Sequence, residues 1–268
     1  MINKTKTAPL FALTFPNINP IALQIGPISI HWYGLSYIAG LLLGFEMAKK
    51  AIQKIQLKMD LNELLSAVMI GIIIGGRLGY VLIYDPLFYI SYPLEIIAIW
   101  HGGMSFHGGA LGAFFGTIYA CKKEKASIHK GLDLLALCAT PGLFFGRIAN
   151  FINGELYGRS TTHTFGMLFP NGGNVLRHPS QLYEALGEGL ILGIILLITT
   201  YFFYREGRVF SIFVIGYGII RLCIEFTREP DNHLGLLFLN LSMGQWLSII
   251  MIVLGGVWTY ARIKNRLY

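Results

Sequence analysis

The sequence predicts an all-α polytopic membrane helix bundle: seven transmembrane helices, one re-entrant or interfacial segment and a small extracytoplasmic head, in a single domain over residues 1–268. Three observations predict it. Hydrophobic residues make up 54% of the 268 residues and charged residues 13%, against roughly 25% charge in an average soluble domain. The mean hydropathy is +0.58. Seven runs of about 18 residues or more are nearly free of charge, the length a helix needs to cross a bilayer. This composition argues against a soluble globular enzyme and excludes a disordered chain. No Pro/Ser-rich linker or charged block divides the chain, so the helices are expected to form one bundle.

The expected spans are 30–49, 61–84, 103–121, 131–152, 182–203, 209–227 and 243–261. A further apolar stretch, 86–100, is too short and too interrupted by Pro86 and Pro93 to cross, and reads as re-entrant or interfacial. The polar start before the first run carries no small-residue cleavage site, so a cleaved signal peptide is not expected. Of the 21 Lys and Arg, thirteen fall on alternate loops. These are Lys49, Lys50, Lys54, Lys58, Lys122, Lys123, Lys125, Lys130, Arg205, Arg208, Arg262, Lys264 and Arg266. Lys4, Lys6, Arg159, Arg177 and Arg228 fall on the other side, and Arg77, Arg147 and Arg221 lie inside spans. The positive-inside rule puts the thirteen in the cytoplasm, the N-terminus outside and the C-terminus inside. The formal charge of +7 then faces anionic headgroups and needs no nucleic-acid partner. Cys121, Cys138 and Cys223 sit within or beside apolar runs and form neither a disulfide framework nor a metal or redox pair.

Charge inside a span costs about 2.5–3.5 kcal/mol at a helix centre, so it marks function or a specific partner. Arg77, among Gly71, Gly75, Gly76 and Gly79, is either functional or a packing residue bonded to a neighbouring carbonyl. On the sixth span, Tyr217, Arg221, Glu225 and Arg228 are spaced 4, 4 and 3 apart and share an arc of about 80°. One carboxylate on that face cannot neutralise two guanidiniums, which suggests an anionic ligand. The fourth span ends with Arg147 and Asn150 on one face and Asn153 and Glu155 at its exit. Guanidinium forks suit phosphate oxygens, and the Asn amides add neutral donors. Asn153-Gly154 also fits a helix C-cap. His107 opens the third span in a glycine-rich segment that allows close approach of a ligand or of another helix. It is either a structural hydrogen-bonder or a base active near neutral pH. Ser180 with Glu184 fits an N-cap and its first turn, and Trp32 and Tyr33 fit an interfacial aromatic belt.

Taken together, these segments resemble the bacterial prolipoprotein diacylglyceryl transferase family. The matching stretches are IHWYGL at 30–35, GGRLGYVLIY at 75–84, GGMSFHGG at 102–109, GRIANFINGELYGR at 146–159, HPSQLYEA at 178–185, YGIIRLCIEFTREPD at 217–231 and SMGQWLSI at 242–249. The resemblance implies a seven-helix enzyme of the bacterial plasma (inner) membrane, with its active site toward the outer leaflet. It implies transfer of the sn-1,2-diacylglyceryl group from phosphatidylglycerol to the lipobox cysteine thiol of a prolipoprotein, releasing sn-glycerol 1-phosphate. By family correspondence the essential positions are Tyr33, His107, Arg147, Asn150, Glu155, Gly158, Arg221 and Glu225, with Arg228 and Glu184 in support. Asn153 and Tyr217, beside them, complete the expected substrate-binding set.

The chemistry suits those residues. A thiolate must form, since a thiol of pKa near 8.5 is mostly protonated at neutral pH, and a departing phosphate must be stabilised. His107 is expected to take the thiol proton. Arg147 and Arg221 are expected to hold the headgroup phosphate, without deciding which serves docking and which catalysis. Asn150 and Tyr33 would orient the headgroup, Glu225 and Glu155 would hold the guanidiniums, and Gly158 would let the outer loop pass close to the lipid. No metal or dinucleotide motif appears and no cofactor is expected. A lateral opening for two acyl chains is expected, with 86–100 and 153–180 as its roof. Two rival classes, a lipid or anion transporter and a purely structural bundle, predict no covalent change in either substrate. The absence of internal repeats counts against the transporter, and surplus Arg counts against the structural bundle.

Overall fold

A computed structural model describes residues 13–16, 18–229 and 237–264. The expectations resting on Lys4 and Lys6, on Pro230 and Asp231, and on Arg266 lie outside the described residues. Among the described residues, seven helices occupy the seven apolar runs in order. They are α1 (Trp32–Lys54), α2 (Leu61–Ile83), α4 (Phe106–Lys123), α5 (Ile128–Ile152), the continuous helix Ser180–Phe202, α8 (Arg208–Glu225) and α9 (Met243–Lys264). The fifth of these begins as α6 (Ser180–Glu184), widens into a π-helical stretch (Ala185–Ile191) and ends as α7 (Leu192–Phe202). Four of the seven, α2, α5, Ser180–Phe202 and α9, are long and apolar enough to cross a membrane. Ile70, Ile74, Leu82, Leu254 and Val257 on α2 and α9 are exposed, an apolar surface that suits hydrocarbon better than water.

Some span starts move. The first helix begins at Trp32 instead of 30, because Ile28–His31 is strand β3, paired antiparallel with β2 (Ile21–Ile25). The third begins at Phe106 instead of 103. Gly102 and Gly103 have φ of +82° and +79°, a left-handed backbone no helix contains, and the Ser105 side chain caps the helix by accepting from Gly108 N. The 86–100 stretch forms only α3 (Pro86–Ser91) and two short 3₁₀ turns, Pro93–Ile96 and Ile99–His101, so no spanning helix forms there.

The chain divides into two compact units, Met1–Glu46 with Cys138–Thr199 and Ser211–Tyr268, and Met47–Leu137 with Thr200–Phe210. In the second, α2 and α4 pack backbone to backbone. A Cβ on Gly75 would overlap the Gly108 carbonyl oxygen, and one on Gly112 would overlap that of Gly71. Glycines four residues apart on both helices permit this approach, so the glycine-rich segment receives another helix. Arg77 is buried at its rim. Its Nε donates to Ile96 O at 2.8 Å, Nη1 to Gly102 O and Gly103 O at 2.5 and 3.0 Å, and Nη2 to Glu95 O and Ala98 O at 2.5 and 3.3 Å. It is the packing arginine of the two readings, and it clamps the whole 95–103 turn. Arg77→Ala is expected to destabilise the protein by about 3 kcal/mol, since it orphans the buried Ala98 carbonyl and four part-buried ones and an orphaned buried carbonyl costs about 1–3 kcal/mol. Early proteolysis within 86–105 would report it. Lysine, a point donor, should not restore the fork. In the same unit Asp133 is buried and accepts from Gly207 N (2.7 Å), Phe210 N (2.8 Å) and Tyr204 Oη (3.2 Å), so this carboxylate caps the start of α8.

In the first unit, Gly40 on α1 meets Gly142 on α5, Gly189 meets the Phe144 backbone, and Gly193 meets Thr140. These contacts bring α1 and the π-helical stretch against α5. The α5 C-terminus closes as expected at Asn153-Gly154. Gly154 has φ +65°, Gly154 N donates to Phe151 O (2.9 Å) and Glu155 N to Asn150 O (3.1 Å), the paired bonds of a Schellman cap. A small cap of strands and loops follows. β1 (Leu13–Thr14) pairs parallel with β4 (Met167–Leu168). Phe151, Met167 and Phe169 form its apolar centre, covered by Phe15, Tyr157 and Leu182. This cap fixes the 153–179 loop over the ends of α5 and α6.

Candidate active site

The 3.6-residue repeat of α8 puts Tyr217, Arg221 and Glu225 on one stripe, as expected. Arg228 is the third residue beyond the helix. The stripe faces two carboxylates from the Ser180–Phe202 helix. Glu184 Oε2 meets Arg147 Nη2 at 2.9 Å and Arg221 Nη1 at 2.8 Å, and its Oε1 meets Arg228 Nη1 at 2.5 Å. Glu188 Oε1 lies 3.4 Å from Arg221 Nη1. Glu225 Oε2 lies 3.2 Å from Arg221 Nη2 and 3.3 Å from Arg228 Nε. Both carboxylates of the fifth helix are fully buried, and the three guanidiniums keep 14–18% of their side-chain surface. The cluster therefore holds three positive and three negative charges. The surplus of positive charge expected from α8 alone does not exist, because Glu184 and Glu188 arrive from another helix. Among the described residues Arg147 is ion-paired only through Nη2, which leaves its Nε and Nη1 donors without an ion pair there.

Sequence reasoning missed Glu188. Its signal was present, since Glu184 and Glu188 are an i,i+4 carboxylate pair in an otherwise apolar helix. It also missed the support of Glu225. Ser242 Oγ donates to Glu225 Oε1 at 2.9 Å, and a Cβ on Gly244 would stand 2.6 Å from the Glu225 carboxylate. Nothing in the local pattern of SMGQW announces that contact. Ser180 is not an N-cap. Pro179 holds that position, and Ser180 Oγ donates to Leu156 O at 3.1 Å, tying α6 to the 153–158 loop.

Among the described residues Glu155 pairs with no guanidinium. Its Oε1 accepts from Asn150 Nδ2 at 2.9 Å and Asn153 Nδ2 at 3.2 Å, and its backbone oxygen accepts from Gln181 Nε2 at 2.6 Å. Tyr33 Oη lies 3.0 Å from Tyr37 Oη. Tyr33, His31, Asn153 and Glu155 line the polar part of an open cavity of about 720 Å³, and Ile30, Leu35 and Ile38 line its apolar part. That combination of polar and apolar lining suits an amphiphile. His107 belongs to the other compact unit, exposed on the first turn of α4.

Gly158 is required by backbone, whatever lies beyond it. It bridges Arg228, its N–H donates to His178 O at 2.8 Å, and a Cβ there would overlap the Thr227 carbonyl oxygen and stand 2.9 Å from His178 Cβ. Arg159 Nε donates to Arg228 O at 2.5 Å, so this strand-like contact sets where the Arg228 side chain starts. Gly158→Ala is expected to cost about 1–3 kcal/mol through overpacking and to lower activity by displacing Arg228. Thermal unfolding measured beside turnover checks both. Nearby, burial and the neighbouring His163 hold the His178 imidazole below its ordinary pKa.

Apolar helices joined by a buried lattice of ion pairs, with an amphiphile-sized cavity in the same unit, define a multi-pass helical membrane protein with a polar site inside it. The chain belongs to the prolipoprotein diacylglyceryl transferase family, whose pattern it matches over residues 20–261. It is 50% identical over 250 residues to the phosphatidylglycerol–prolipoprotein diacylglyceryl transferase of Rickettsia africae, covering 91% of this chain and 96% of that one. It is 51% identical over 245 residues to the protein of the same name from Wolbachia pipientis wMel, covering 89% and 93%.

Proposed function

We propose that this protein transfers the sn-1,2-diacylglyceryl group of phosphatidylglycerol to the lipobox cysteine of prolipoproteins, the first step of bacterial lipoprotein maturation. The match at half identity over nearly the whole of relatives named for this reaction carries the reading. In the reaction a C–S bond forms at the glyceryl carbon, its C–O bond to phosphate breaks, and the thiol proton leaves through a base. The products are a thioether and sn-glycerol 1-phosphate. Arg147 and Arg221 bind the phosphate and offset the charge it gains. Asn150, Asn153 and Tyr33 orient the glycerol headgroup. Glu184, Glu225 and Arg228 hold the two phosphate-binding guanidiniums in register, with Tyr217 beside them. Glu155 fixes the two Asn amides, and Gly158 sets the strand that starts Arg228. The chain needs no cofactor for this reaction and no nucleophilic cysteine of its own.

The seven helices span the bacterial plasma (inner) membrane as one domain in this reading, with the N-terminus and the strand-and-loop cap outside and the C-terminus inside. The 86–100 segment lies at the interface, and the acyl chains enter laterally from the bilayer.

Purified protein given phosphatidylglycerol and a lipobox peptide should release glycerol phosphate and add a diacylglyceryl group to the peptide. The same peptide with serine for cysteine should give neither. Release without peptide modification would overturn the proposal. His107 is the base of this mechanism. His107→Gln is expected to slow turnover about 10²–10⁴-fold near neutral pH and to recover part of it as pH approaches the thiol's own pKa. A variant as active as wild type throughout the neutral range would remove His107 from that role.

A further inference from the structure

The anionic lipid of the proposed reaction meets a cluster whose charges already balance. Arg147, Arg221 and Arg228 face Glu184, Glu188 and Glu225, and the flanking Arg159 and Glu155 add one charge of each sign. A phosphodiester docked on Arg147 would leave one uncompensated negative charge among side chains 0–18% exposed. Net charge in such surroundings is costly, and ionisable groups there neutralise instead. One added proton restores the balance.

The three carboxyls differ in how firmly their ionised form is held. Glu184 is ion-paired with three guanidiniums and accepts hydrogen bonds from two of them, Arg221 and Arg228. Glu225 has the Ser242 hydroxyl on Oε1 and two guanidiniums at 3.2 and 3.3 Å from Oε2, an oxygen that, like Oε2 of Glu188, accepts no hydrogen bond among the described residues. Glu188 has Arg221 alone, at 3.4 Å, and its buried Oε2 accepts no hydrogen bond among the described residues. The other groups that face it are Glu184 on its own helix, Arg147 on α5 and Tyr217 on α8. It lies in the π-helical stretch, a distortion found often at functional sites. A docked phosphate also competes for the Arg147 and Arg221 donors, and Glu188 has no second ion pair with which to stay ionised.

We infer that Glu188 takes up one proton from water when the phosphodiester headgroup docks, so that lipid binding and protonation of this carboxyl are coupled one to one. The inference rests on phosphatidylglycerol being the substrate. It makes Glu188 a positioning residue that keeps the cluster neutral, with no contact to the reacting carbon.

The test uses full-length protein and short-chain phosphatidylglycerol without any peptide, so that nothing turns over. Calorimetric titration in buffers of different ionisation enthalpy should count about one proton taken up per lipid bound, and an infrared carboxylic-acid band should appear on binding to wild type. Zwitterionic phosphatidylcholine brings no net charge and should give neither. In turnover assays the KM for phosphatidylglycerol should rise about tenfold per pH unit between the pKa of Glu188 in the free protein and its higher pKa in the lipid complex. In Glu188→Gln that slope should vanish, whereas Glu188→Asp should retain it. A proton count near zero, no acid band in wild type, or an unchanged slope in Glu188→Gln would overturn the coupling, even with transfer to the lipobox peptide intact. Wild-type protein that neither binds nor consumes phosphatidylglycerol would overturn the proposed function and the coupling with it.

Discussion

Arg147→Ala is expected to abolish diacylglyceryl transfer while leaving the protein in the membrane and folded. Both halves follow from how Arg147 is held. It contributes one of the six ion pairs of the cluster, through a single nitrogen. Removing it leaves Glu184 with two guanidiniums, Arg221 and Arg228, so no carboxylate is orphaned and the fold keeps most of its buried pairing. The donors it takes away have no ion pair among the described residues, and they are the ones assigned to the phosphate in the proposed reaction. Loss of one such donor group costs about 10²–10³ in rate, and here the docking contact goes too. Arg147→Lys should recover only a fraction, because an ammonium cannot grip two phosphate oxygens and Glu184 together. Glycerol phosphate release by purified, monodisperse variant protein decides the matter. A rate near wild type would take the phosphate off Arg147.

What the sequence showed, and what it hid, divides by range. Periodicity is local, so the stripe Tyr217–Arg221–Glu225 and the cap at Asn153-Gly154 were legible from spacing alone. The seven helices were legible for the same reason, and their starts were misplaced where a strand (Ile28–His31) or left-handed glycines (Gly102, Gly103) precede the apolar run. Partners across helices are not local. From α8 alone the charge looked unbalanced. Only the packing of the fifth helix, which the contacts of Gly189 with Phe144 and of Gly193 with Thr140 bring against α5, sets Glu184 against all three guanidiniums and Glu188 against Arg221. Arg77 shows the same limit. Its charge demanded a partner, but backbone carbonyls carry no sequence signature, so function and packing stayed equally open until the 95–103 turn was seen folded around it. Gly158 was read as making room for lipid and proves to make room for the Thr227 and His178 backbone.

Glu184→Ala should be the most damaging single change in the cluster, and its effect should differ in kind from that of Arg147→Ala. Glu184 is fully buried and, among the described residues, is the one carboxylate that touches Arg147, Arg221 and Arg228 at once. Without it three guanidiniums share Glu188 and Glu225, and Arg147 keeps no ion pair among the described residues. Breaking a buried pair by removing one partner costs about 3–5 kcal/mol, which for a chain of this size lowers the unfolding temperature by about 10 °C. Activity should be lost as well, but through misplaced guanidiniums, with the loss tracked by the fall in stability. Glu184→Gln separates the two effects. The amide keeps the shape and two of the contacts while removing one negative charge, so it should recover part of the stability. It should also hold the anionic lipid without the proton that wild type takes up, because the site then carries the spare positive charge that a phosphodiester neutralises. Thermal unfolding of the purified variants, with lipid affinity measured on the same preparations, tests the order wild type above Gln above Ala. Glu184→Ala protein as stable as wild type would mean that the ion pairs contribute nothing net to holding the helices together. The case for this cluster as a scaffold that presents Arg147 would then fail.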